Sequence, residues 1–103
     1  MDSTTERRWK AAGAEDIDWR CWDGEVVARV VLSGATYLLN ETASAAFTQL
    51  CAADSALSGE ELAIRLFPDA GEEPEQTRHE TRLALEALLA DLHALNLVRP
   101  SAP

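Results

Sequence analysis

The run Ile17-Asp18-Trp19-Arg20-Cys21-Trp22-Asp23-Gly24-Glu25-Val26-Val27-Ala28-Arg29-Val30-Val31-Leu32-Ser33-Gly34-Ala35-Thr36-Tyr37-Leu38-Leu39 holds two turn signals between three apolar segments. Asp-Gly is a two-residue hairpin signature, because a type I′ turn needs positive φ at both central residues. Ser33-Gly34 marks the next reversal. The reading is three antiparallel strands: Ile17 to Trp22, Glu25 to Leu32, and Ala35 to Leu39. The second is rich in β-branched valine (Val26, Val27, Val30, Val31), which suits a pleated surface. In the third, alternation sets Ala35, Tyr37 and Leu39 on one face and Thr36 and Leu38 on the other. Apolar groups on both faces of this sheet leave one face less well covered.

Downstream the period changes to helical. Asn40 is placed to cap a helix over about 41–53, with Glu41 favourable to the helix dipole. Ala43, Ala46, Phe47 and Leu50 form its apolar stripe. Ser58-Gly59-Glu60-Glu61 is a capping box that opens a second helix with Leu62, Ala63, Leu66 and Phe67 inward, stopped by Pro68. Residues 68–76 read as an acidic linker with one Gly and two Pro. Thr77 and Glu80 offer a further capping box, or Pro74 starts the third helix a turn earlier. That helix runs over about 76–95, with Thr81, Leu85, Leu88, Leu92 and Leu95 as its core face, and Asn96 ends it in the left-handed region. Leu97-Val98-Arg99 returns to the body.

Upstream, residues 1–16 read as a polar N-terminal arm. Within it, Arg7-Arg8-Trp9-Lys10 is a short basic run, and burial of the Trp9 ring could tie the arm to the body. Residues 100–103 read as a tail, so the domain proper is 17–99. Strands followed by helices make an α+β fold with a three-stranded antiparallel sheet followed by three helices. Two short helices ahead of a longer one, beside a hairpin, suit a winged helix-turn-helix.

Composition excludes several functions. The 103 residues are 47% hydrophobic, enough for one core and too short for most multi-domain enzymes. Eighteen acidic against nine basic residues give a formal charge of −9, which repels a phosphate backbone, so no nucleic acid is expected. No apolar run approaches the roughly 18 residues of a membrane span. The start Met1-Asp2-Ser3-Thr4-Thr5-Glu6 lacks the basic and apolar regions of a signal peptide, so the expected compartment is the cytoplasm. Cys21, Cys51, His79 and His93 lack the spacing of a zinc site and read as two partly buried thiols and two isolated imidazoles. No glycine-rich phosphate loop or nucleophile motif is present. The dipeptide His79-Glu80 reads as a solvated helix face. Glu72-Glu73-Pro74-Glu75 lacks the turn pattern of a calcium loop. No catalysis, metal or cofactor is expected.

Three segments in order then resemble the PqqD family of small peptide chaperones: Ser33-Gly34-Ala35-Thr36-Tyr37-Leu38-Leu39-Asn40-Glu41-Thr42-Ala43, Leu57-Ser58-Gly59-Glu60-Glu61-Leu62-Ala63, and Leu88-Leu89-Ala90-Asp91-Leu92-His93-Ala94-Leu95-Asn96-Leu97-Val98. The opening Trp19-Arg20-Cys21-Trp22-Asp23-Gly24-Glu25-Val26-Val27 is similar to the branch found in the HPr-rel-A system, alongside an HPr kinase-related kinase. The resemblance covers about residues 9–99. The family usually has Gly where Asn96 stands, and Asn tolerates the same backbone geometry. The resemblance implies the winged three-strand, three-helix domain called the RiPP recognition element. It also implies the task of that domain, which is to hold the leader of a precursor peptide and present it to a modifying enzyme. The leader would add a strand beside the third strand and pack against the third helix.

The residues supply a matching mechanism. If Ala35, Thr36, Tyr37, Leu38 and Leu39 form an edge strand, its unpaired backbone groups can take an extended peptide. With the helix core direction taken through Leu88, Arg78, Arg82, Leu89 and His93 fall on one flank. That flank would be the groove wall, with Leu89 as its apolar floor and the arginines pairing acidic leader residues. Leu38 and Leu39 also read as plain core, and Arg78 and Arg82 as a solvated face pairing with Glu75 and Glu86. Trp9, Trp19 and Trp22 read as packing anchors, with Trp22 partly exposed beside the turn. The expected partners are the leader and its modifying enzyme or the kinase. Otherwise the domain is a docking or regulatory subunit that binds no leader, or a second copy covers the edge as a homodimer.

Overall fold

The computed structural model describes residues 7–68, 72 and 74–101. Its elements are β1 (Arg8–Ala11), β2 (Ile17–Trp22), β3 (Glu25–Val30), β4 (Thr36–Leu38), α1 (Glu41–Ala52), β5 (Leu57–Ser58), α2 (Gly59–Leu66), α3 (Glu75–Ala94) and β6 (Val98–Ser101). The architecture is α+β, with the expected three-stranded antiparallel sheet, order β2-β3-β4, and three helices. No helix among the described residues is long and apolar enough to cross a membrane.

The expected hairpin forms. Asp23 (φ 54°) and Gly24 (φ 79°) both sit in the left-handed region, and Trp22 pairs with Glu25 across the turn. Gly34 (φ 76°) reverses the chain again, its N–H donating to the Val30 carbonyl at 2.7 Å. That turn begins at Val31, so the second strand ends at Val30, short of Leu32, and the third begins at Thr36. Ile17, Val26, Ala28 and Val30 are buried on the inner face beneath α1, whose Ala43, Ala46, Phe47 and Leu50 are buried in turn. The Trp19 ring meets Phe47 edge-on at 5.2 Å.

One buried hydroxyl joins helix to sheet. Ser44 of α1 accepts the Val26 N–H at 2.7 Å and donates to the Leu39 carbonyl at 3.1 Å. Leu39 in turn donates to the Val26 carbonyl at 2.8 Å. The Ser44 hydroxyl thus sits between two main-chain groups that would otherwise bond to each other, and β4 stops there. Asn40 caps α1 as expected, accepting the Ala43 N–H at 2.8 Å.

A second three-stranded sheet, order β5-β1-β6, corrects the expected ends of the chain. Residues 8–11 are not a loose arm: Trp9 pairs with Leu57 on one side and Pro100 on the other. The reason is the Trp9 ring, 1% exposed, which supplies the apolar anchor of this sheet. Residues 98–101 are likewise a strand rather than return and tail. Pro100 is tolerated because β6 is an edge.

Ser58 ends β5 and caps α2 through the expected box. Glu61 N–H donates to Ser58 Oγ at 3.1 Å, and the Glu61 carboxylate accepts the Ser58 N–H at 3.0 Å and Arg8 Nη1 at 2.8 Å. The Ser58 backbone bond, aided by Arg8, holds the Glu61 carboxyl below its ordinary pKa. A lowered carboxyl pKa stabilises the fold above the ordinary glutamate range and loses that contribution as pH falls through and below it. Glu61→Gln is therefore expected to flatten the acid limb of stability against pH in urea titrations. An unchanged acid limb would remove Glu61 from the acid response.

In α2, Leu62 is fully buried and Ala63 and Leu66 are half-buried, but Phe67 lies past the helix end and is exposed. The proposed Thr77–Glu80 box does not form. Pro74 starts α3 without a side-chain cap bond, which places Thr77 already inside the helix. Four of the nine residues of the acidic linker, 69–71 and 73, lie outside the described residues. The core face of α3 is also turned from the expected one. Leu85, Leu89 and Leu92 are buried, whereas Thr81, Leu88 and Leu95 are half-buried. Asn96 (φ 67°) closes the helix as expected.

Candidate functional site

The site begins at an open sheet edge. In an antiparallel ladder successive residues direct their main-chain groups to opposite neighbours. Val30 N–H donates to the Ala35 carbonyl and Leu39 N–H to the Val26 carbonyl, both at 2.8 Å. Ala35, Tyr37 and Leu39 therefore turn their backbone groups toward β3. Thr36 and Leu38 turn theirs outward, away from the sheet, where no main-chain partner from the described residues meets them. Such an edge is a template for an added strand.

Side chains divide the same way. Leu39 is buried and Tyr37 half-buried against the core, as alternation predicts. Leu38, which also read as plain core, is 67% exposed. It stands beside Val27 (41% exposed) and Arg20 in one cross-strand row. Trp22, 77% exposed, lies diagonally across from Val27. The outer face of this sheet is thus an uncovered apolar patch next to the open edge, bordered by the Asp18–Arg29 pair at 3.5 Å. Val27 was the member missed from sequence, although the Asp23-Gly24 turn fixes its register opposite Arg20 and Leu38.

The residues expected on one flank of α3 do not assemble there. Leu89 is fully buried in the core and is not a groove floor, because the helix is rotated toward Leu85 and Leu89 rather than Leu88. His93 belongs to the second sheet: its Nδ1 is 3.2 Å from the Val98 carbonyl and its ring meets Trp9 at 5.9 Å. Since a carbonyl only accepts, Nδ1 is the donor there. Arg78 and Arg82 line a different cleft of about 430 Å³, between α2 and α3, with Glu60, Ile64, Phe67 and His79. Neither arginine pairs with Glu75 or Glu86 among the described residues, and Arg82 reaches His79 Nδ1 at 3.3 Å. The principal neighbours of α3 are α2 and β6, not β4. The structure therefore brings Ala35 to Leu39 together and separates them from the α3 candidates.

The thiols differ from expectation. Cys21, near the hairpin end of β2, and Cys51, in the last turn of α1, are both exposed, since each sits where its element runs out of cover. Partial burial still raises the Cys51 thiol pKa. Among the described residues no three His, Cys, Asp or Glu side chains come together as ligands. Compared with known proteins, the chain matches no family model, no curated protein and no solved structure.

Proposed function

We propose that the chain is a PqqD-like RiPP recognition element: a non-catalytic, cytoplasmic domain that captures a precursor-peptide leader by strand addition and presents it to a modifying enzyme. The observation that supports this most is the open β4 edge, with Thr36 and Leu38 facing outward beside an exposed Leu38–Val27–Trp22 patch. Backbone pairing supplies affinity and the patch supplies selectivity. The order α1-β5-α2-α3-β6, with β1 completing the small sheet, supports a winged helix-turn-helix reading. The formal charge of −9 disfavours nucleic acid as the partner of such a domain.

The test is an amide-shift titration with peptides encoded by neighbouring genes. Shifts at Thr36–Leu38 are expected for the client. Leu38→Pro removes an outward N–H while leaving the bonds to β3 in place, so the fold should survive with a dispersed spectrum. Its binding should weaken by about tenfold or more, the scale of one or two lost hydrogen bonds. Arg78→Glu with Arg82→Glu should leave β4 binding unchanged, and a loss there would return the α3 flank to the site.

The exposed Ile64 and Phe67 beside Arg78 and Arg82 favour a second reading, a docking or regulatory subunit of a partner enzyme such as an HPr kinase-related kinase. Under that reading a partner shifts the α2–α3 cleft and no peptide shifts β4. Homodimerisation through β4 would instead appear as concentration-dependent shifts at Thr36–Leu38 without any peptide.

A further inference from the structure

The other edge of the same sheet is also open, and it borders a cleft. Val31 N–H donates to the Asp16 carbonyl at 2.9 Å, so Asp16, Asp18, Arg20 and Trp22 direct their backbone groups toward β3. Ile17, Trp19 and Cys21 direct theirs outward. The Ile17 N–H is taken by the Gly13 carbonyl at 3.2 Å, and no described residue meets those of Trp19 and Cys21. Beside this edge lies a cleft of about 340 Å³ between β2, β1 and the end of α1. Its walls include Ile17, Trp19, Leu50, Cys51 and Ala53, and Lys10 is the one charged side chain among its described lining residues.

These features describe one kind of occupant. Unpaired N–H and C=O groups along a strand call for an extended main chain. A strand paired with β2 would carry alternate side chains onto the inner face, where the cleft lies. The apolar wall asks for an aliphatic side chain there. Lys10, the one charged side chain in that lining, asks for an anionic group next to it. We propose that the β2 edge and this cleft form a second peptide-binding site. It would take an extended acidic-aliphatic segment that pairs with Trp19 and Cys21, sets an aliphatic side chain against Trp19 and Leu50, and sets a carboxylate against Lys10. The site is separate from β4 and does not depend on the leader-binding reading.

Cys51 in the wall gives a direct readout. In a Cys21→Ser background Cys51 is the remaining thiol, since the chain has two cysteines. The probe is the synthetic peptide acetyl-Thr-Val-Thr-Leu-Thr-Asp-Thr-amide, and the control carries Lys in place of Asp. Iodoacetamide alkylation is followed at alkaline pH, where enough thiolate is present to react. Saturating probe is expected to slow Cys51 alkylation in that background by about tenfold or more and, in the unsubstituted chain, to shift the amides of Trp19 and Cys21. The control peptide, and Lys10→Glu with the original probe, should each bind about tenfold more weakly, the scale of one charge-assisted bond. Alkylation that stays unchanged at millimolar probe overturns the proposal. So does binding that shifts only Thr36–Leu38, which would leave the β4 reading standing without a second site. Equal binding of both peptides would overturn the role of Lys10.

Discussion

Trp9→Ala is expected to lower the unfolding free energy by about 3–5 kcal/mol, the range for deleting a large buried aromatic side chain. The ring is 1% exposed at the centre of the small sheet, with His93 edge-on at 5.9 Å and the Arg7 guanidinium 5.6 Å from its centroid. A domain of this size commonly has about 5–15 kcal/mol in total, so the loss takes a large part of it. Urea unfolding followed by circular dichroism reads it directly. Trp9→Phe sharpens the argument. The Trp9 Nε1 is buried without a hydrogen-bond partner among the described residues, and an unsatisfied donor costs about 1–3 kcal/mol. Phenylalanine keeps most of the ring and deletes that donor, so it should cost clearly less than alanine. A phenylalanine variant as unstable as the alanine variant would mean that the indole N–H contributes a stabilising bond.

Ser44→Ala is expected to cost about 2–4 kcal/mol, far above the usual cost of removing a hydroxyl, because two main-chain groups lose their partner together. The Ser44 oxygen accepts the Val26 N–H and donates to the Leu39 carbonyl, and all three residues are buried. The helix also loses its polar tie to the β3–β4 ladder. Hydrogen exchange gives a site-specific check: the Val26 amide should lose protection far more than those of Ala28 and Val30. If Val26 stays protected and stability is unchanged, β4 has closed the ladder onto Val26 by itself and the bridge is dispensable.

What was legible in the sequence was carried by single residues with strong local consequences. Asp23-Gly24, Asn40, the Ser58–Glu61 box and Asn96 each specify a turn, a cap or a left-handed position, and each is found there. The small sheet was not legible. Its strands have four, two and four residues, too few to show alternation. Ser58 serves strand and cap at once, and Pro100 argues against a strand unless its edge position is known. The rotation of α3 was hidden for a different reason. Leucines at 83, 85, 88, 89, 92 and 95 surround much of the helix, so period alone does not choose between Leu88 and Leu89. That single choice moved Leu89 from a candidate groove into the core. The edge strand and its inner and outer faces were legible, because a two-residue turn fixes the register of every pair that follows.

The pairing of β1 with β6 also orders events in time. Arg8 meets Ser101 and Trp9 meets Pro100, so nearly all the described chain must be made before β1 finds this neighbour. Closing so long a loop is slow relative to forming the Asp23-Gly24 hairpin or the helices, whose contacts are local. On the ribosome, the β2-β3-β4 sheet and α1 can assemble early and β1 can pair with β5, while the other edge of β1 waits for β6. The β1–β6 ladder is then expected to close late, and a nascent chain halted before residue 98 would leave that edge of β1 open to chaperones.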